Sequence, residues 1–249
     1  MGHDMRVIAR LDVKNEFVIK GINFEGLRKV GDPMELATAY YAAGIDEIIF
    51  IDSVASLYNR NNLFHIIRSA SQRIFVPITI GGGLRSLDDV SAALDAGADK
   101  VAINTAAIGN PQLITDVARR YGAQCVVGSI QAKRTDRGWE AYVEAGREST
   151  GVCVLDWARR LTELGAGELL VTSVDQEGTK RGFDIDLMAA VNEAVRVPMI
   201  AGGGYGRPRD LGDLLARTRP NAICVGTVLH YKLQTVADVR AAALGTGVA

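Results

Sequence analysis

The chain has 249 residues, of which 48% are hydrophobic and 23% are charged. This is the composition of a folded globular protein, without the bias that marks disordered segments. Lys and Arg total 28 against 29 Asp and Glu, so no basic surplus indicates a nucleic-acid or anionic-membrane partner. Apolar runs are too short to span a bilayer and no signal-peptide pattern opens the chain, so we expect a cytoplasmic protein.

Three cysteines, Cys125, Cys153 and Cys224, are widely spaced in apolar sequence. An odd number with this spacing disfavours both a disulfide framework and a zinc site. We therefore expect three buried structural thiols, and we predict neither a metal nor a cofactor.

Short β-branched apolar runs alternate with helical stretches along the chain. The runs, in chain order, occupy residues 6–11, 47–51, 76–80, 100–103, 125–130, 168–172, 198–201 and 222–225. Helices are predicted to start where Asp32 precedes Pro33, at Ser86, and where Asn110 precedes Pro111. Strands of this length that alternate with helices indicate a parallel sheet, and eight of them favour a closed (β/α)8 TIM barrel of the α/β class.

The two halves of the chain repeat one another at an offset of roughly 120 residues. The matching pairs are LDVK at 11–14 with IQAK at 130–133, Asp52 with Asp175, the glycines at 81–83 with those at 202–204, and Thr105 with Thr227. We predict one barrel domain over residues 1–249, built from duplicated half-barrels at about 5–121 and 122–245. An open doubly wound sheet, the alternative, would not explain why the matching features follow strands in both halves.

Two glycine triplets follow the third and seventh predicted strands. Residues without a Cβ let backbone N–H groups approach a phosphate closely, and the loops after the strands build the active site of such a barrel. One triplet alone would indicate no more than a turn, but the symmetric pair predicts a phosphate pocket in each half. The predicted pocket residues are Gly82, Gly83, Asn104 and Thr105 in one half, and Gly203, Gly204, Gly226 and Thr227 in the other.

Three aspartates, Asp12, Asp52 and Asp175, stand at or just after the ends of predicted strands. A carboxylate that faces an anionic ligand does not serve to bind phosphate, so general acid or base chemistry is the sharper interpretation. Asp12 is the stronger candidate, because Asp175 lies in a run that could equally cap a turn. Residues 14–31, which include Lys20, form a long segment before the first helix that we predict to be a mobile lid.

A second set of charges lies at the opposite end of the predicted barrel. Arg6 and Asp12 share one face of the first strand, and six residues separate them by roughly 20 Å, the depth of a barrel. Arg6 is therefore at the floor, and Glu47, Lys100 and Glu168 each begin another strand. Two acids and two bases predict a neutral ring of ion pairs, although a chance set of surface charges would show the same spacing.

The sequence resembles the HisF family, the cyclase subunits of imidazole glycerol phosphate synthase, from Arg6 to about Arg240. The motifs are LDVK at 11–14, KGINFEGLR at 20–28, GDP at 31–33, GGGLRS at 81–86, ADKVAINTA at 98–106 and ELGAGELLVTS at 163–173. The family fold is a duplicated barrel. Its members receive ammonia from a HisH-type glutaminase docked on the barrel floor and pass it through the barrel. At the mouth they use it to split and cyclise a bis-phosphorylated formimino carboxamide ribonucleotide.

The resemblance implies a role for individual residues and a partner. By it, Asp12 is the strand-one catalytic aspartate, the partner is a HisH-type glutaminase, and the substrate is a phosphorylated small molecule. The implied ammonia gate is Arg6, Glu47, Lys100 and Glu168. The implied substrate-binding residues are Lys20, Asp52, Gly82, Gly83, Asn104, Thr105, Thr172, Asp175, Gly178, Gly203, Gly204, Gly226 and Thr227.

The chain departs from the family pattern near the predicted catalytic site. Gln131 stands where the family has its second catalytic aspartate, and an amide cannot take up or release a proton near neutral pH. Arg10, Glu177 and Gly202 are further departures, of which Arg10 should lower the pKa of Asp12 and could narrow the pore.

Three hypotheses remain open from sequence. The first is a cyclase of histidine biosynthesis. The second is an altered subunit that conducts ammonia to another enzyme, the role ascribed to HisF-like paralogues in the synthesis of bacterial surface amidino sugars. The third is a sugar-phosphate isomerase on the same scaffold, which needs no gate and should keep both strand-end aspartates.

Overall fold

The computed structural model describes residues 5–55 and 63–245, and this part of the chain contains a closed barrel of eight parallel strands. The strands, numbered in chain order, are β1 (Arg6–Lys14), β2 (Phe17–Ile22), β3 (Glu25–Gly31), β4 (Glu47–Asp52), β5 (Ile78–Gly81), β6 (Lys100–Ile103), β7 (Val126–Thr135), β8 (Gly138–Val143), β9 (Glu148–Cys153), β10 (Glu168–Ser173), β11 (Met199–Gly202) and β12 (Ala222–Val225). The barrel order is β1, β4, β5, β6, β7, β10, β11 and β12, and pairing of β12 with β1 closes it. All eight predicted barrel strands are confirmed to within a few residues.

Helices follow the barrel strands and cover the outside of the barrel. They are α1 (Pro33–Ala42), α2 (Phe64–Ser71), α3 (Leu87–Asp95), α4 (Thr105–Gly109), α5 (Gln112–Tyr121), α6 (Val154–Leu164), α7 (Ile185–Ala194), α8 (Pro208–Arg217), α9 (Thr227–His230) and α10 (Val236–Ala243). The predicted starts agree: Asp32 caps α1 by accepting the N–H of Met34 at 2.8 Å, and Ser86 forms a capping box with Asp89. Such caps contribute about 1 kcal/mol each. Among the described helices, none has the length and apolar character needed to cross a membrane.

The segment predicted to be a mobile lid folds as an antiparallel hairpin, and its mobility stays a prediction. Residues 17–31 form β2 and β3, and β2 pairs with the end of β1. The two residues at the hairpin tip, Asn23 and Phe24, both have positive φ angles, as the tight turns that suit twisted hairpins require. A second hairpin that sequence analysis missed, β8 and β9, extends β7 in the same way. The duplication of half-barrels stays a prediction.

The cysteines are not all buried, contrary to our expectation. Cys125 and Cys224 are buried, but Cys153 is exposed. Cys153 ends β9, the outer strand of the second hairpin, and strands on the edge of a sheet have one side open to solvent.

Candidate functional site

The four predicted floor charges form one closed ring of ion pairs, which we call the floor ring (Arg6, Glu47, Lys100 and Glu168). Arg6 binds both Glu47 and Glu168, while Lys100 Nζ lies 3.1 Å from Glu47 Oε2 and 3.0 Å from Glu168 Oε2. Each carboxylate therefore contacts two cations, and the formal charges cancel. Neutralisation of this kind is what allows four ionised groups to sit together in a largely buried position.

An apolar layer fills the barrel interior above the floor ring. Its residues are Ile8, Ile49, Ala102, Val127, Leu170, Ile200, Ala222 and Cys224. They come from the inward faces of the barrel strands, where every second residue points to the axis. The interior is thus polar at the floor, apolar in the middle and polar again toward the mouth.

Arg10 lies on the same face of β1 as Ile8 and Asp12 and brings a charge into the upper barrel. It is 6% exposed, its Nε lies 2.8 Å from Asp12 Oδ1, and its Nη1 donates to Thr172 Oγ1 at 3.1 Å. The guanidinium also stands 5.4 Å from the ring centre of Phe24, at the tip of the first hairpin. The predicted site residues Asp12 and Thr172 are therefore joined by a residue that departs from the family pattern.

Lys20 supplies the second cation on Asp12. Its Nζ lies 3.2 Å from Asp12 Oδ2 and also contacts Glu177. The backbone N–H of Asn23 donates to the carbonyl of Glu177 at 2.7 Å, so the first hairpin is tied to the loop after β10. Glu177, noted in sequence only as a departure, completes a buried network of two acids and two bases.

This network keeps Asp12 ionised. Burial by itself would raise the pKa of Asp12, but Arg10 and then Lys20 outweigh burial and lower that pKa to about 2. Both oxygens of the carboxylate accept a hydrogen bond from a cation. Asp12 is therefore a poor proton donor near neutral pH, and its low pKa also makes it a weak proton acceptor.

Gln131 lines a cavity of about 360 Å3 at the barrel mouth, which we call the mouth cavity. Gln131 is 9% exposed, and its Oε1 accepts the N–H of Gly146 at 2.7 Å. That bond fixes the orientation of the amide, because only the oxygen accepts, and it ties the second hairpin to the barrel.

The predicted first-half phosphate residues line the same mouth cavity, and so does the strand-end acid Asp52: the phosphate residues are Gly82, Gly83, Asn104 and Thr105. Gly82 has a φ of +85°, and a Cβ there would come within 2.2 Å of the Asp52 carbonyl oxygen, so only glycine fits. Asn104 Nδ2 donates to the Tyr142 carbonyl at 3.3 Å, which places the second hairpin against this half of the site.

Two of the predicted second-half residues, Gly178 and Thr227, line a different surface, together with Lys20 of the first hairpin. This surface is an open cavity of about 640 Å3 beside the hairpin. A Cβ on Gly226 would lie 3.3 Å from Lys20 Nζ, and one on Gly204 would lie 2.0 Å from the Gly182 carbonyl oxygen. Backbone crowding accounts for Gly204, and the same applies to Gly203, where a Cβ would lie 2.7 Å from the Ser173 carbonyl oxygen.

Asp175 is not brought to Asp12. It accepts the N–H of Arg134 at 2.8 Å, and it lines a separate open groove with Arg134 and Asp184. This bond joins the loop after β10 to β7 and is not the turn cap considered from sequence. A substrate role for Asp175 stays a prediction.

Comparison with known proteins gives the family. The family described as "Histidine biosynthesis protein" matches residues 6–235. "Imidazole glycerol phosphate synthase subunit HisF" of Legionella pneumophila is 57% identical over 205 residues, which cover 82% of this chain and 97% of that protein. The proteins of the same name from Streptococcus mutans and Mycobacteroides abscessus are each 44% identical, over 95% and 98% of this chain and 95% and 97% of their own lengths. The chain belongs to the HisF family.

Within this HisF chain, a buried histidine that sequence analysis missed supports the backbone of Arg10. His230 Nε2 lies 3.0 Å from the Arg10 carbonyl oxygen, so Nε2 carries the proton, and Nδ1 accepts the Tyr40 hydroxyl at 2.7 Å. Burial lowers the pKa of His230 to about 4, helped by nearby Lys20. A lone histidine after the GT pair at 226–227 carries no sequence signal for this role.

The protonation of His230 should make the fold acid-sensitive. The pKa of His230 in the folded state lies below its unfolded value of roughly 6.5. Neutral His230 therefore contributes its full share of the unfolding free energy above about pH 6.5, and that contribution is lost as pH falls toward 4. Between pH 7 and pH 4.5 the unmodified chain should lose about 2 kcal/mol more unfolding free energy than His230→Gln in urea denaturation. Exposed His65→Gln is the control and should behave as the unmodified chain does; equal losses in all three would contradict the assignment.

Removal of the Asp12 carboxylate should destabilise the protein. Asp12→Asn leaves Arg10 and Lys20 with one buried counter-charge, which costs about 3–5 kcal/mol of unfolding free energy at pH 7. Since the folded pKa of Asp12 is depressed, its contribution is present above the unfolded pKa of about 3.9 and is lost as pH falls toward 2. In urea denaturation, the difference in unfolding free energy between the unmodified chain and Asp12→Asn should therefore be about 1 kcal/mol smaller at pH 3 than at pH 7.

The matched control for Asp12→Asn is Asp156→Asn on α6. Asp156 is exposed and pairs with Arg159 at 3.0 Å, and such surface pairs contribute about 1 kcal/mol or less. If Asp12→Asn lost no more unfolding free energy than Asp156→Asn, or if its loss did not change with pH, the result would contradict the buried network.

Proposed function

We propose that this chain is the cyclase subunit of an imidazole glycerol phosphate synthase. In this proposal a HisH-type glutaminase docks on the floor ring, ammonia passes through the apolar interior, and the reaction with the bis-phosphorylated nucleotide takes place at the mouth. The observation that carries the proposal is the closed floor ring below an apolar interior and a ligand-sized cavity, in a chain similar to HisF subunits over almost its whole length.

The chemistry expected of each end follows from its charges. Neutral ammonia crosses an apolar layer far more easily than ammonium, because burying an unpaired cation is costly. At the mouth the glycine-rich loop at 81–83 offers backbone N–H groups to a phosphate. Asp12 is an ionised carboxylate that the family pattern shares, and it accepts a proton only when Arg10 or Lys20 releases one of its oxygens. Gln131 can hold a substrate group by hydrogen bonding but cannot transfer a proton.

A second candidate function is an altered subunit that delivers ammonia to another enzyme and has little cyclase activity. Two observations favour it: Gln131 replaces a carboxylate, and Arg10 with Lys20 occupies both oxygens of Asp12. The retained phosphate residues favour the cyclase instead, because a conduit has less need of them. Neither these departures nor the retained phosphate residues support the isomerase hypothesis. An isomerase should keep both strand-end acids, and Gln131 replaces one of them.

The deciding experiment supplies the purified chain with the nucleotide substrate and ammonium salts, and measures formation of imidazole glycerol phosphate. We expect turnover, but far more slowly than in a family member with both aspartates, run in parallel. Turnover equal to that relative would contradict the altered-subunit candidate. No turnover, together with stimulation of a HisH-type glutaminase by the chain, would contradict the cyclase proposal and support the second candidate.

A further inference from the structure

The side chain of Arg10 crosses the barrel interior. Arg10 belongs to β1, and its Nη1 donates to Thr172 Oγ1 on β10, which is three strand positions away around the barrel. An interior enclosed by eight strands is just wide enough for side chains to fill it. A side chain that reaches from β1 to β10 therefore lies across the path along the barrel axis. We call the Arg10–Thr172 contact the crossbar.

The crossbar separates the apolar layer from the mouth cavity. Ile8, the next inward-facing residue below Arg10 on β1, pairs with Cys224, and these two residues are 0% and 5% exposed. Arg10 itself lines the mouth cavity, and the ring centre of Phe24 stands 5.4 Å from its guanidinium. A molecule that moves from the layer to the cavity on this side of the barrel must therefore pass the crossbar.

Gly202 leaves room for the crossbar. It pairs with Thr172 on one side and with Cys224 on the other. A Cβ at position 202 would lie 3.2 Å from Thr172 Oγ1, the atom that accepts from Arg10, so a polar side chain there would compete for that hydroxyl. Arg10 and Gly202 both depart from the family pattern, and the structure brings both departures to this one contact.

The two ends of the crossbar are held with different strength. At one end Arg10 Nε lies 2.8 Å from Asp12 Oδ1, and both side chains are buried. At the other end a single hydrogen bond joins Nη1 to the Thr172 hydroxyl. A hydrogen bond to a neutral hydroxyl is weaker than a buried ion pair, so the crossbar opens at Thr172 while Arg10 stays paired with Asp12.

We propose that the crossbar is a second barrier on the ammonia path, above the floor ring, and that ammonia reaches the mouth cavity when the Arg10–Thr172 bond opens. A guanidinium inside a pore also repels cations, so the crossbar passes neutral ammonia and holds back ammonium. The inference rests on the proposed function in taking the barrel interior as the ammonia path. The first experiment below does not depend on cyclase activity, and the second does.

The thiol of Cys224 reports whether the crossbar closes the interior. The full chain is treated with methyl methanethiosulfonate, a small neutral reagent that transfers CH3S to a thiolate and releases methanesulfinate, and mass spectrometry follows each cysteine. We expect Thr172→Val to raise the rate at Cys224 by about tenfold, as loss of one charge-assisted hydrogen bond allows, and Arg10→Ala to raise it further. Buried Cys125 and exposed Cys153 are internal controls whose rates should stay the same.

A faster reaction of Cys224 in Arg10→Ala cannot be a charge effect. Burial raises the pKa of Cys224 to about 12 and Arg10 opposes that rise, so loss of the charge alone would slow the reaction. An unchanged rate at Cys224 in Thr172→Val, or an equal rise at Cys125, would overturn the barrier even if Arg10→Ala does not fold.

The second experiment tests the ammonia path in the complex with a HisH-type glutaminase. Product formation is measured with glutamine, whose ammonia must cross the interior, and with ammonium salts, whose ammonia also reaches the mouth from solvent. The ratio of the two rates cancels any direct effect on the substrate, and we expect Thr172→Val to raise it severalfold. Thr115→Val is the matched control and should leave the ratio unchanged, because the Thr115 hydroxyl on α5 donates to the Leu164 carbonyl at 3.0 Å.

The two experiments separate failure of the crossbar from failure of the proposed function. An unchanged ratio in Thr172→Val would overturn the role of the crossbar on the ammonia path. No product from either ammonia source would contradict the cyclase proposal, and the rate at Cys224 would still decide whether the crossbar closes the interior.

Discussion

Gln131→Asp is expected to raise the rate of imidazole glycerol phosphate formation with ammonium salts by roughly 10²-fold. The substitution places a group that can exchange protons in the middle of β7, where the unmodified chain has an amide. Asp12 does not fill this role as a donor, because Arg10 and Lys20 lower its pKa to about 2. A carboxylate at position 131 would supply the missing half of an acid and base pair. Steady-state kinetics with saturating nucleotide measures the effect.

Gln131→Asn is the matched control for that experiment. Asn has the size of Asp and the neutral amide of Gln, and like Asp it is too short to keep the contact with Gly146 unchanged. The two variants therefore differ from each other only in the carboxylate, and we expect no increase for Asn. If both variants raised the rate equally, proton transfer by the new carboxylate could not explain the increase. The lost contact with Gly146 would then be its cause.

Lys100→Glu is expected to uncouple glutamine hydrolysis in a glutaminase partner from product formation. The reversal removes a cation that bridges Glu47 and Glu168 and leaves three carboxylates around Arg6. Loss of one partner from a largely buried ion-pair network costs about 3–5 kcal/mol, so the floor ring should open or rearrange. The measurement is the ratio of glutamate released to imidazole glycerol phosphate formed in the complex. The ratio should be near one for the unmodified chain and well above one for the variant.

Two further variants make the Lys100 result interpretable. Lys100→Met removes the cation without adding an acid, and we expect it to change the ratio in the same direction by a smaller amount. Arg160→Glu reverses an exposed charge on α6 that pairs with Glu163 at 3.3 Å, and it should change nothing. An unchanged ratio in Lys100→Glu, with the complex still formed, would argue against a role of the floor ring in ammonia transfer.

Much of this architecture was predictable from sequence because the signals are local. Eight β-branched runs separated by helical patterns predict the barrel, and the capping residues Asp32 and Ser86 predict where helices begin. Charges at the first positions of strands predict the floor ring, since equivalent positions of parallel strands lie at one level of the barrel. The hairpins were missed because their strands are short and partly exposed, so they lack the continuous apolar character of the barrel strands.

Contacts between segments that are far apart in the sequence were harder to predict. Gln131 could be recognised as a departure by comparison with the family motif, but its bond to Gly146 depends on how a hairpin folds back over the mouth. Asp175 matches Asp52 in the sequence repeat and yet faces another groove. The exposure of Cys153 likewise follows from its place on an edge strand, which apolar neighbours in the sequence do not reveal.

The sequence by itself determined the barrel, the direction of its strands, and the placement of charge at one end and glycine-rich loops at the other. These features follow from periodicity and from which residues start and end each strand. Only the tertiary structure decided which groups are paired and which are free. Closure of the barrel brings Arg10 to Thr172 and Lys20 to Glu177 across more than half of the chain. Those contacts hold Arg10 and Lys20 against the two oxygens of Asp12, because pairing inside a barrel is set by position around its axis and not by proximity along the chain.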